Sequence, residues 1–419
     1  MVWLFHKELW RKPLSSWYLY DFANSLLIIN ANLYFSQWIV VDKGIPDFFF
    51  ALPFMIATAL LLFVSPYVGY LGDKNASHHK IFIFAALATV ASSILMWASA
   101  RYAPIIMSAI LALIAYGLYQ FFAQLVLVPY TAFIKTIAPK EHYGAVSGLG
   151  FSFGQLGNIF GLLLTLPITY GVITFFGTDR IAVLLPATVA FLLFATPSFF
   201  YLRTTTKNAD VHKPHLFKTL WHSVKESKKY PGVFELIIAF YFFSDALMSI
   251  SLFGAIYLQN VYGAPDTLKV PMYLLAIGGM FAGALLGGVV ADKKGHRFTM
   301  ITALCCTVIM ILFVAFASTM YQVIVSFSLF GFFSGAVYSS SRAYLALIIP
   351  EQESGRFFGL YELSERFASI VGPAIWGVTV WLLRDFFPWN YRAAVITMAL
   401  LATFGLIPLL RKKSVSATI

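Results

Sequence analysis

Asp21, Asn24, Asn30 and Asn32 interrupt the first long apolar run of this chain, Trp17 to Asn32. Helical steps of three and four residues would place Asp21, Asn24, Ser25, Ile28 and Asn32 on one face. A carboxylate at membrane depth costs about 2.5–3.5 kcal/mol even on a mild insertion scale, so it normally faces a bundle interior or a water-filled cavity. That face is the first candidate for binding a proton or a polar solute. A second cluster comes late in the chain, with Arg342, then Glu362, Glu365 and Arg366. Glu362 and Arg366 can pair along one helix as an i, i+4 step, which leaves Arg342 to pair with Glu365 or Glu362 across a helix interface. Removing one partner of a buried pair costs about 3–5 kcal/mol, so these charges should be matched. Two carboxylates and two guanidiniums in one place can exchange partners, as a bistable gate requires. A carboxylate there is also a candidate proton carrier. The competing reading is static: Asp21 as a cap near a membrane surface, and the later charges as a structural network.

The elements that must position these groups are membrane helices. The chain of 419 residues is 60% hydrophobic and 11% charged, with a mean hydropathy of +0.79. Soluble domains carry about 25% charged residues, so the chain is an integral membrane protein. Its apolar runs are about 20 residues long and do not alternate, which fits helices rather than barrel strands. The opening segment, MVWLFHKELWRK, is too short and too charged for a cleavable leader and suits a short amphipathic stub. Twelve spans are expected, over 17–40, 47–71, 80–100, 103–136, 143–174, 180–203, 232–260, 269–291, 297–318, 321–349, 355–384 and 388–411. With both termini in the cytoplasm, 21 Lys and Arg lie on the inner side and 6 on the outer, and Arg342 and Arg366 lie within the membrane. The positive-inside rule selects that orientation. The net charge of +11 thereby finds its explanation without nucleic acid. Cys305 and Cys306, the only cysteines, are adjacent in an apolar run and form no disulfide framework.

The domain organisation comprises a six-helix bundle over 1–203, a polar linker over 204–231, and a second six-helix bundle with a basic tail over 232–419. In the linker Phe217, Leu220, Trp221 and Val224 fall at helical spacing among lysines, as in an amphipathic helix on the inner leaflet. The two bundles repeat one another. Pro139, Gly144, Gly148 and Gly161 each recur 211 residues later as Pro350, Gly355, Gly359 and Gly372. Gly69 and Asp73 recur as Gly288 and Asp292, and Tyr20-Asp21 has a looser echo in Ser244-Asp245. That echo adds Asp245 to the candidates for proton or solute. Two homologous halves of six helices that both start inside are the layout of a major facilitator transporter.

The loop GVVADKKGHR resembles the signature of the major facilitator superfamily, G-x-x-x-D-[RK]-x-G-[RK]-[RK], with His296 in a basic slot. The first-half copy, GYLGDKNASHHK, keeps Gly and Asp and lacks the later Gly. WYLYDFANS and SRAYLALIIPEQESGRFFGLYELSERFASIVGP resemble, more narrowly, the vacuole-effluxer-like (autophagy-related transporter) family. This resemblance implies a transporter and hints at amino acids as solutes. It also implies that Asp73 and Asp292 sit at helix N-termini of the opposite half, where free N–H groups and the dipole favour an anion. They would latch one state of the cycle, with Arg297 and Arg366 in the same gating set.

The remaining polar and small residues sort into site and scaffold. Gln120, Gln124, Gln155 and Asn158 either line the central cavity or bond between helices, and Gln124 joins the candidate solute set. Gly279, Gly283 and Gly287, and Gly150, Gly154, Gly157 and Gly161, have the spacing of close helix contacts. Phe48, Phe49 and Phe50 read as lipid and interface anchors. No phosphate loop or Cys/His metal spacing occurs, so enzyme, nucleotide and metal readings fail, and no cofactor is expected. The expected function is secondary active transport of a small polar solute by alternating access, coupled to protons. The protein would be a monomer in a bilayer, in the bacterial inner membrane. The alternative is a facilitator-fold sensor or scaffold without transport.

Overall fold

Glycine spacing sets the helix packing in both halves of the chain. The computed structural model describes residues 7–138, 143–175, 177, 179–203, 225, 227–230, 232–349 and 354–411. The linker helix expected around Phe217 to Val224 lies outside them, as do most of the opening stub and the basic tail. The first helices are α1 (Lys12–Asn30), α2 (Asp47–Asn75), α3 (His78–Tyr102), α4 (Ile105–Leu125), α5 (Leu127–Ile137), α6 (Tyr143–Thr169) and α7 (Leu184–Tyr201). They are followed by α8 (Val233–Tyr262), α9 (Asp266–Lys294), α10 (His296–Phe316), α11 (Met320–Ile348), α12 (Ser354–Leu382) and α13 (Trp389–Arg411). Counting α4 and α5 as one interrupted span gives the twelve helices anticipated. Among the described residues, ten of these spans are long and apolar enough to cross a membrane by composition. The two outside that set, α1 and α12, are the ones that carry Asp21 and the Glu362–Arg366 cluster.

Two departures from the sequence pattern matter. The first span is not one α-helix, because π-helical turns occupy Ala31–Phe35 and Trp38–Asp42. A π-turn bonds i to i+5 and rotates the azimuth of every later side chain on the helix. Asn32 sits inside the first of them and leaves the register that was to align it with Asp21. The fourth span breaks at Val126, between α4 and α5.

The chain divides into two compact units, Met1–Gly44 with Ile56–Pro214, and Ile45–Met55 with His215–Ile419. In the first, α1 packs on α6 and α7, and α3 on α4. In the second, α8 packs on α12 and α13, α10 on α11, and α9 on α11. Within α6, a Cβ at Gly157 would meet the Phe22 carbonyl and one at Gly161 would meet the Leu26 carbonyl at 2.8 Å, so α1 and α6 touch backbone to backbone. The α9–α11 pair interlocks from both sides. Gly279 and Gly283 lie on the Ser328 and Phe332 carbonyls, while Gly331 and Gly335 lie on the Ala276 and Met280 carbonyls. Small residues allow that approach, which compensates in lipid for the missing hydrophobic drive between helices. Thr319 and Gln322 cap the start of α11 with a reciprocal capping box.

Candidate functional site

In the first unit Asp21 lies on α1 beside a rigid aromatic clamp. Trp17 stacks on Tyr130 of α5 with centroids 4.6 Å apart and an interplanar angle of 1°. The Trp17 indole N–H donates to the Tyr130 carbonyl at 2.9 Å, and the Tyr130 hydroxyl donates to the Trp17 carbonyl at 3.2 Å. Tyr20 meets Tyr130 at 5.4 Å and stands edge-on to Phe82 at 4.7 Å.

Asp21 itself is half-buried. Its carboxyl group lies 3.5 Å from where a Cβ on Gly154 of α6 would be, and Ser25 Oγ lies 3.1 Å from the same point. Among the described residues no hydrogen bond or ion pair to its carboxylate occurs. The hydroxyls of Tyr20 and Tyr119 are buried and also have no partner among the described residues. Buried polar atoms are nearly always satisfied, so the unbonded carboxylate and the unpartnered hydroxyl of its chain neighbour Tyr20 ask for a proton, water or solute.

The other α1 candidates divide. Asn24 is 5% exposed, and Asn32 is half-buried with an unpartnered Oδ1. Asn30 is structural: its side chain donates to the Leu26 carbonyl at 2.9 Å and accepts from Thr165 of α6 at 3.0 Å. Gln124 donates to Thr58 of α2 at 3.3 Å, a bond between helices of the first unit. Gln120 instead donates within α4, to the Tyr116 hydroxyl at 2.7 Å.

In the second unit Asp245 of α8 is fully buried. Its Oδ1 accepts the Gly372 backbone N–H of α12 at 2.6 Å, while Oδ2 has no partner among the described residues. Ser249 donates to the Asp245 carbonyl at 2.7 Å. A separate cluster joins α11 to α12. Tyr338 donates to Glu365 at 3.1 Å, and Ser341 and Tyr361 share a 2.8 Å hydrogen bond. Phe240 stacks on Tyr361 at 3.8 Å. Arg342 is exposed and lies six residues before the end of α11. The side chains of Glu362, Arg366 and Asp73 lie outside the described residues. Asp292 is exposed and approaches His296 at 3.7 Å, and Arg297 donates to the Leu409 carbonyl, tying α10 to α13.

One carboxylate was missed. Asp47, the first residue of α2, is 2% exposed and accepts from Tyr391 at 2.8 Å and from Trp376 at 3.3 Å. In the sequence it precedes Phe48-Phe49-Phe50 and reads as an acid at a helix start. Phe49 does face outward, whereas Phe50 is fully buried rather than an anchor.

Comparison with known proteins agrees with the fold. The family model described as Major Facilitator Superfamily matches residues 3–162 and 272–418. The chain is 23% identical to an uncharacterised MFS-type transporter, YxiO, of Bacillus subtilis, over 94% of each chain. It is 24% identical to autophagy-related protein 22-2 of Aspergillus niger over 43% of this chain and 34% of that one. Among solved structures, nucleoside transporter NupG superimposes with a TM-score of 0.70 at 11% identity, covering 96% of this chain and all of that one. A bacterial homologue of the human lysosomal transporter Spinster gives 0.68 at 13% identity, covering 95% of each. Likeness at that identity speaks for the fold alone.

Proposed function

This chain belongs to the Major Facilitator Superfamily and is a membrane transporter, and we propose that it moves a small polar solute by proton-coupled alternating access, with Asp21 at the site. The observation that carries this reading is the half-buried Asp21 carboxylate, without a hydrogen bond among the described residues, next in the chain to Tyr20, whose buried hydroxyl is unpartnered among them. A carboxylate so placed can take a proton or a cationic group of the solute, and the phenol can complete its hydrogen bonding. Amino acids or similar metabolites are the solute class favoured by the resemblance to the vacuole-effluxer-like family. Asn24, Asn32 and Gln124 complete the solute set in the first unit. Asp245, Arg342, Glu362 and Glu365 serve it in the second, and Asp73, Asp292, Arg297 and Arg366 serve gating. The lysine and arginine asymmetry supports cytoplasmic termini, and the Bacillus relative supports a bacterial inner membrane. The working unit is a monomer.

The experiment is a thermal-shift screen of purified protein against amino acids, peptides, sugars and nucleosides. Any stabilising solute is then tested for uptake into proteoliposomes, with and without a pH gradient. Uptake driven by the pH gradient supports the reading. A solute that stabilises the protein yet is never taken up would favour a sensor or scaffold.

A further inference from the structure

With both termini cytoplasmic, the connections that follow α6 and α12 lie on the outer side, and both hold large apolar side chains outward. After α6, Tyr170, Val172, Ile173 and Phe175 are exposed, Phe175 to 90%. Around the end of α12, Trp381, Phe386 and Phe387 are exposed, Phe386 to 66%, and so is Trp389 at the start of α13. The repeat relates the two places. The 211-residue interval that carries Gly161 to Gly372 also carries Tyr170 to Trp381 and Phe175 to Phe386. Each half therefore has an aromatic residue where the span ends and a phenylalanine five residues further on.

Both connections are built. In the first, the Val172 and Ile173 N–H groups donate to the Pro167 carbonyl at 2.8 and 3.0 Å, and the Gly177 N–H donates to the Thr174 carbonyl at 2.9 Å. Arg101 at the end of α3 reaches Asp179 at 3.4 Å, and a Cβ at Gly177, whose φ is +115°, would lie 3.3 Å from the Arg101 Nη1. Arg180 pairs with Asp42. In the second, Arg384–Phe386 form a 3₁₀ turn, with the Phe386 N–H donating to the Leu383 carbonyl at 2.9 Å. The Arg384 guanidinium lies over the Trp381 ring at 5.6 Å and forms no ion pair among the described residues. Surfaces in water seldom gather large apolar side chains in this way, so these two call for an apolar medium. Each begins where a span ends, so its apolar surface continues the one its helix shows to lipid. Aromatic rings gather at the membrane–water interface, and an arginine there can hold a phosphate.

We propose that these two connections are interfacial anchors, one on each bundle, that dip into the outer leaflet and take phospholipid as their partner. The aromatic rings lie among the upper acyl chains, and Arg384 meets a lipid phosphate. The inference is independent of proton coupling and of the solute, and its test needs no transport. Phe175→Cys and Phe386→Cys are made singly in a Cys305→Ser/Cys306→Ser background, with Lys43→Cys, exposed at the end of the first span, as the reference. Each thiol is labelled with an NBD fluorophore, and the full chain is placed in nanodiscs of phosphatidylcholine and phosphatidylglycerol, where both faces are open to solvent. A nitroxide on the upper part of the lipid chain should quench the labels in the two connections several-fold more than the reference label. Aqueous iodide should quench them several-fold less. Iodide quenching as strong as that of the reference overturns the anchor at that position, because the connection then stands in water. Protection from both quenchers also overturns it, since protein then covers the site, and the oligomeric state of the labelled chain tells whether the cover is a second copy. The two positions are read separately, so a variant that fails to fold leaves the other to decide.

Discussion

Asp21 and Asp245 begin the same pattern, Asp-x-x-x-Ser, on helices that occupy the same place in their units, α1 against α6 and α8 against α12. Their surroundings differ. Asp21 is half-buried beside Gly154 with no hydrogen bond among the described residues, while Asp245 is sealed and holds the Gly372 N–H. The partner helices explain the difference. Gly372 is the repeat mate of Gly161, about two turns beyond Gly154, and the mate of Gly154 is Glu365. In the first unit the glycine beside the carboxylate leaves room. In the second the equivalent position carries an acid bonded by Tyr338, and the carboxylate of α8 meets a glycine deeper along the helix. One motif thus yields an accessible acid in one half and a packed one in the other.

The largest effect expected from this contrast is on uptake. Asp21→Asn should lower uptake of the solute found by thermal shift about a hundredfold, equivalent to about 2.7 kcal/mol, and abolish its pH dependence with no change in melting temperature. Asp245→Asn should leave at least a measurable, pH-responsive rate. Initial rates in proteoliposomes across pH decide between them, and a pH-responsive Asp21→Asn would end the assignment.

Next comes stability. A Cβ at Gly372 would meet Asp245 Oδ1 at 2.6 Å and its carbonyl at 2.7 Å, whereas one at Gly154 would meet Ser25 Oγ at 3.1 Å. Gly372→Ala should cost about 1–3 kcal/mol through overpacking, and Gly154→Ala less. Asp245→Ala, which removes the bond to the Gly372 N–H, should cost about 0.5–1.5 kcal/mol, and Asp245→Asn little. Denaturation in one detergent measures all four. If Gly154→Ala proved the more damaging glycine variant, the two sites would not differ as described.

Much of this was legible in the residues. Apolar run length gave the spans, the 211-residue interval gave the repeat, and glycine spacing marked α6 and α9 for close contact without naming α1 and α11 as their partners. What was not legible has physical causes. Nothing in Ala31–Phe35 marks a π-turn, so Asn32 was aligned with Asp21 on an α-helical assumption. Asp245 and Asp21 share a motif, and only the helix opposite tells them apart. Asp47 was silent because its partners, Trp376 and Tyr391, lie more than 300 residues away and are aromatic, a type that sequence assigns to core or interface by default.

The smallest stability effect should come from Tyr20, next to Asp21 in the chain, and from Tyr119 of α4. The hydroxyls of Tyr20 and Tyr119 are buried without a partner among the described residues, so each already bears the cost of leaving water. Removing such a hydroxyl deletes that cost and leaves no other group stranded, so Tyr20→Phe and Tyr119→Phe should be neutral or slightly stabilising, within about 1 kcal/mol. Tyr338→Phe is the matched case in the second unit. Its hydroxyl donates to Glu365 at 3.1 Å, and its loss should destabilise by about 1.5–3 kcal/mol if Glu365 is ionised. Uptake sharpens the contrast. If the free hydroxyls bind solute or proton at Asp21, both variants should transport several-fold more slowly at unchanged stability, with the loss largest at low solute concentration. A Tyr20→Phe protein that melts lower than the parent would mean its hydroxyl is bonded after all, and Asp21 would lose the unmade hydrogen bond next to it.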